Sequence, residues 1–117
     1  MKRLVLALLT SAALALPAHA EPYISMGPGT VSCAKFLQDY KQNPELLGNM
    51  AFSWAQGYMS GANALMVGAL HTGWYELNGR PDKDQEAFLL NYCDQHPLEH
   101  YQDGVHALML TLPPHAN

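Results

Sequence analysis

This chain has few cysteines, no excess of basic residues and no apolar run long enough to cross a membrane comfortably. Cys33 and Cys93 are its only cysteines, so each has one possible partner within the chain. Neither stands beside residue 20, which argues against a lipid-anchored N-terminus. The longest apolar stretch, residues 4–16, falls short of the roughly 20 residues that a spanning helix needs. No segment alternates as a half-buried strand does, and no internal repeat stands out. Nor does any motif seat a serine on the strained turn that a nucleophile requires.

What is present begins with an export signal. Lys2 and Arg3 precede the apolar stretch, Pro17 breaks it, and Ala18-His19-Ala20 offers a small-x-small cleavage site before Glu21. Residues 1–20 therefore read as a signal peptide, an uncleaved anchor being the alternative. Residues 21–117 read as a single helical domain of 97 residues. Two of the six basic residues fall in the leader, and all ten acids follow it. The remaining four bases against ten acids give a formal charge of −6. Nucleic acid and anionic lipid would both be repelled. Export to an oxidising compartment predicts a Cys33–Cys93 disulfide, two free buried thiols being the alternative. Closing a loop of this length contributes on the order of 4 kcal/mol in the chain-entropy model.

Residues 21–31 carry Pro22, Gly27, Pro28 and Gly29 and read as an extended arm. Ser32 caps a first helix over residues 33–41, whose Cys33, Phe36, Leu37 and Tyr40 share a face. Asn43-Pro44-Glu45 starts a second helix that runs to about residue 71. Leu47, Ala51, Trp54, Tyr58, Gly61, Leu65 and Gly68 mark its expected buried seam, with Gly57 and Gly61 admitting a close neighbour. Residues 74–81 form a loop with an Asn78-Gly79 turn. Asp82 and Gln85 resemble a capping box for a third helix ending near residue 95, which buries Phe88, Leu89, Tyr92 and Cys93. Pro97 opens a fourth helix with the stripe Leu98, Tyr101, Val105, Leu108 and Leu112. Pro113-Pro114 stops it. The expected fold is all-α: a compact bundle of about four helices stapled by one disulfide.

Candidate chemistry is sparse. His96 and His100 lie four apart beside Asp94, Glu99 and Asp103, a spacing that chelates a metal on a continuous helix. Pro97 interrupts them and no second cluster completes a shell, so neither a metal nor any cofactor is expected. His71, His106 and His115 read as surface residues. Trp54 and Tyr58 read as core, and Trp74 and Tyr75 as candidate anchors for a partner. No enzymatic activity is expected.

Three ordered segments carry a resemblance. Ser32-Cys33-Ala34-Lys35-Phe36-Leu37, Trp54-Ala55-Gln56-Gly57-Tyr58-Met59-Ser60-Gly61 and Tyr92-Cys93-Asp94-Gln95-His96-Pro97-Leu98 resemble the Rap/Tai family of periplasmic immunity proteins of type VI secretion. His96 stands where that family usually has Asn. The resemblance implies a periplasmic helical fold, a structural disulfide, frequent homodimerisation and a protein partner. That partner would be a secreted cell-wall-cleaving effector of amidase type, its active site blocked. The contact residues are not shared within the family, so none carries over; the loop over residues 72–82 is the expected plug. The segments also resemble the HdeA/HdeB-type acid-stress chaperones, from which the longer 62–87 stretch and Ser60 depart. An acid chaperone needs a charge swing, and here the charge goes from −6 to roughly +9 once the carboxylates are neutral and five histidines protonated.

Overall fold

The computed structural model describes residues 25–116. The signal-peptide reading lies outside the described residues. A 3₁₀ turn at Pro28–Thr30 leads into helix α1 (Cys33–Gln42) and then α2 (Pro44–Gly68). Strand β1 (Trp74–Tyr75), α3 (Asp82–Gln95), α4 (Tyr101–Met109) and β2 (Pro114–His115) complete the order. Four helices make the body, as the sequence predicts. The two strands do not follow from it: they pair antiparallel, Trp74 with His115 and Tyr75 with Pro114. The arm at residues 21–31 is likewise not wholly extended, since the 3₁₀ turn occupies part of it.

Local chemistry fixes the helix ends. The Ser32 hydroxyl accepts from the Lys35 N–H at 3.3 Å, and the Asn43 side chain accepts from the Leu46 N–H at 3.2 Å. The free N–H groups at the start of α1 find carbonyls in the α3–α4 connection. Cys33 N–H donates to Glu99 at 2.7 Å and Ala34 N–H to Pro97 at 3.0 Å. Tyr101 N–H donates in turn to the Val31 carbonyl at 3.0 Å. These bonds lay the start of α1 beside the end of α3. There Cys33 and Cys93, both fully buried, form the disulfide with Cα atoms 4.7 Å apart.

The core is one cluster drawn from all four helices, with Phe36, Phe52, Met59, Leu89, Tyr101, Val105 and Leu108 at its centre. Phe36 and Tyr101 pack at a tilt of 49° with ring centroids 4.6 Å apart. The buried face of α2 is not the expected seam. Ala51, Phe52, Ala55 and Met59 face inward, while Tyr58 is 37% exposed and Leu65 lies in the open. Nothing in the fold comes within 4 Å of a Cβ placed at Gly57, Gly61 or Gly68. The close neighbour expected there is absent from the described residues.

Three further expectations shift. Residue 81, not Asp82, caps α3, and Gln85 reaches backward instead of closing a capping box. Half of such a box forms at α4, where the His100 N–H donates to the Asp103 carboxylate at 2.8 Å. That helix starts at Tyr101, so Leu98 precedes it and is 92% exposed. Within α3, Leu89 and Cys93 are buried but Phe88 and Tyr92 only partly so.

Candidate functional site

The segment between α2 and α3, residues 69–81, lacks helix yet is firmly held. Helix α2 ends with Ala69 and Leu70 N–H both donating to the Leu65 carbonyl, and His71 turns the chain in the left-handed region at φ 51°. This is where the expected extension of the helix to residue 71 stops. Asn63, one turn before the helix end, then grips the loop twice. Its amide donates to the Tyr75 carbonyl at 2.8 Å and its oxygen accepts the Tyr75 N–H at 3.0 Å. From the other side Gln85, fully buried, donates to the Leu77 carbonyl at 2.8 Å and the Arg80 carbonyl at 2.7 Å. A buried amide so engaged leaves no polar group unpaired.

The chain's last described residues complete the brace. Glu76 N–H donates to the Pro113 carbonyl at 2.9 Å, and His115 Nδ1 lies 3.0 Å from the Glu76 carboxylate. Trp74 stacks on the His115 ring at 4.6 Å. A Cβ on Gly73 would come 2.2 Å from the His115 carbonyl oxygen, so glycine is what lets the tail lie this close. The result is a loop whose backbone is fixed from three directions and whose exposed tip is Asn78-Gly79.

The histidines do not converge. His96 caps the end of α3, its ring 4.4 Å from that of Tyr92 and its Nδ1 3.5 Å from Glu99. His100 stands at the start of α4, 3.6 Å from Asp103. Each is thus paired with its own carboxylate, and no group of three or more His, Cys, Asp or Glu among the described residues could hold a metal ion. The Tyr92 hydroxyl donates to Glu99. That bond, then partial burial, and the Glu99 and Asp103 charges push its pKa up to about 12. Burial pushes the Tyr101 phenol further up, with a smaller contribution from the Glu86 charge.

Two hollows remain. One, of about 280 Å³, is an apolar groove between the 3₁₀ turn, α1 and α2, with Asp39 at its edge. The other, of about 230 Å³, holds Tyr58, Asp103 and His106 beside Ser25. There the Ser25 hydroxyl is donated to Gln102 and the Asp103 carboxylate is engaged by the His100 N–H. Trp54 is half-buried, lying over Gly27 and Gly29 and donating to the Met26 carbonyl at 2.8 Å. Tyr58 stacks on its outer side at 5.3 Å.

No helix among the described residues is long and apolar enough to cross a membrane. Comparison with protein-family models, with curated proteins and with solved structures finds no match to this chain. Sequence reasoning found the loop and its aromatic flank but missed Asn63, Gln85 and His115 as its supports. Asn63 and His115 are polar residues between apolar neighbours, a weak signal; Gln85, the fully buried one, lies between Asp84 and Glu86 and gave none.

Proposed function

We propose that this is an exported, periplasmic protein-binding module of the immunity kind, which neutralises a secreted cell-wall-cleaving enzyme by laying the loop over residues 72–82 across its active site. The observation that carries the reading is the triple bracing of that loop by Asn63, Gln85 and the paired tail. A segment already fixed in one shape loses little conformational freedom on binding, and such preorganisation raises affinity without added contact area. Trp74, Arg80 and the Asn78-Gly79 tip supply aromatic, cationic and hydrogen-bonding groups for the contact. The acidic net charge suits a basic partner surface.

Inhibition of peptidoglycan amidases by the purified protein, beginning with any encoded beside its gene, tests the proposal. Asn78→Arg and Arg80→Glu should each weaken inhibition at least tenfold while leaving the melting temperature unchanged. Full inhibition by both variants, or none by the native protein against every neighbouring exported hydrolase, would reject it.

The acid-chaperone reading has one observation in its favour. The pairs His96–Glu99, His100–Asp103 and His115–Glu76 hold the α3–α4 turn and the loop brace. Contacts of this kind weaken in strong acid, where charge pairing with carboxylates is lost. On that reading client aggregation is suppressed at about pH 2–3 and not at neutrality; equal activity at both excludes it.

A further inference from the structure

Helix α4 carries Gln102 and Asp103 four and three residues before His106, so the three side chains share one face. Tyr58 of α2 joins them, and with Ser25 these residues line the hollow of about 230 Å³. No residue of the loop over positions 72–82, nor any of its braces, enters this lining. Whatever binds here is therefore independent of inhibition through that loop.

Three of the lining side chains are held in advance. The Tyr58 ring stacks on Trp54, centroids 5.3 Å apart and planes 25° apart, and the Trp54 indole N–H is tied to the Met26 carbonyl at 2.8 Å. The Gln102 side-chain oxygen accepts from the Ser25 hydroxyl, which leaves its NH₂ group as a donor. Asp103 Oδ2 accepts the His100 N–H at 2.8 Å, which leaves Oδ1 as an acceptor. Among the described residues neither the Tyr58 hydroxyl nor the His106 ring has a hydrogen-bond partner, and each of these groups both donates and accepts. The hollow thus combines a fixed aromatic face with a donor, an acceptor and two groups that serve as either.

We infer that this hollow binds a neutral saccharide, one sugar ring lying on Tyr58 with its hydroxyls bonded to Gln102, Asp103 and His106. Other ligand classes each leave a group opposed. An anion would meet the Asp103 carboxylate on a chain of formal charge −6. A cation would gain Asp103 but face the Gln102 NH₂ donor, and no group of three or more metal-binding side chains is present among the described residues. An apolar body would strip water from polar groups without replacing its hydrogen bonds. Neighbouring sugar hydroxyls donate to Asp103 and accept from Gln102 at once, and so take the place of the waters those groups would otherwise hold. The C–H face of the ring meets the negative face of the phenol. Drug-sized sites run to about 300–1,000 Å³, so this smaller hollow suits a single ring. Because the platform and two polar groups are already fixed, little side-chain freedom is lost on binding.

Titration of the purified oxidised protein with glucose, N-acetylglucosamine and the β-1,4-linked trimer of N-acetylglucosamine tests the inference, read by the NMR signals of the Tyr58 and His106 rings. Saturable shifts with dissociation constants of about 1–10 mM are expected for the single sugars. A trimer bound about tenfold more tightly makes a glycan chain the source, and a trimer bound equally makes it a free sugar; either supports a saccharide site. No saturable shift with any of the three up to about 100 mM overturns the inference. So does tighter binding of ethylammonium or of inorganic phosphate, which would make the hollow an ion site. Tyr58→Ala should weaken sugar binding about tenfold with unchanged circular dichroism. Tyr58→Phe, which keeps the stacking face, should lose less, and the reverse order overturns the stacking. Asp103→Asn, which keeps an oxygen for the cap of α4, should also weaken binding; full affinity in both Tyr58→Ala and Asp103→Asn places the sugar elsewhere and overturns the site.

Discussion

Gly29 and Gly61 are the same residue in opposite situations. A Cβ on Gly29 would lie 1.9 Å from the Trp54 ring, whereas one on Gly61 would meet nothing. Gly29→Ala is expected to cost about 1–3 kcal/mol by forcing the indole off its seat. Gly61→Ala is expected to add up to about 1 kcal/mol through helix propensity. Chemical denaturation of the two variants checks both signs. The phenols define a second residue-level expectation. Tyr92 and Tyr101 hold their protons more tightly folded than unfolded, Tyr92 up to about 12 from an ordinary 10.0. Their contribution to stability is thus complete below pH 10.0 and is lost as pH rises toward 12. Melting temperature should fall across that window, and Tyr92→Phe should make the fall shallower. A melting temperature level across the window would contradict the assignment.

Among the elements, the loop between α2 and α3 depends on two amides rather than on a core of its own. Asn63→Ala removes both bonds to Tyr75 and is expected to cost about 1–3 kcal/mol. Backbone amides of residues 74–79 should then exchange with solvent faster, while those of α4 keep their protection; unchanged exchange in the loop would show that the tail alone holds it. The four helices and the starts of α1 and α2 were legible in the sequence because Ser32, Asn43 and Pro44 are local signals read without reference to the rest of the chain, whereas Pro97 misplaced the start of α4. The orientation of α2 was not. Reading a buried face requires a charged face to set against it, and after Glu45 this helix has none. Two stripes, one through Trp54 and Tyr58 and one through Ala55 and Met59, then fit the same period. The β1–β2 pair was hidden for another reason: two residues have no period, and their partner lies about forty positions away. The loop was legible as a loop; what holds it rigid depends on burial of Gln85, which spacing does not encode.

For the whole molecule the disulfide is the dominant restraint, joining α1 to α3 across 60 positions. Replacing Cys33 and Cys93 together by serine is expected to remove on the order of 4 kcal/mol, a large share of the roughly 5–15 kcal/mol by which small folds are stable. Thermal melts of the native and the doubly substituted protein measure it, and coincident melts would show the bridge to be energetically idle. The two tryptophans make such measurements separable by region. Trp54 sits against Gly27 and Gly29, and Trp74 lies flat on His115. Trp74 should shift its emission when the tail leaves the loop, and Trp54 when the 3₁₀ turn lifts away. The chain therefore carries two intrinsic optical reporters, one for its braced loop and one for its leading segment, without any label being attached.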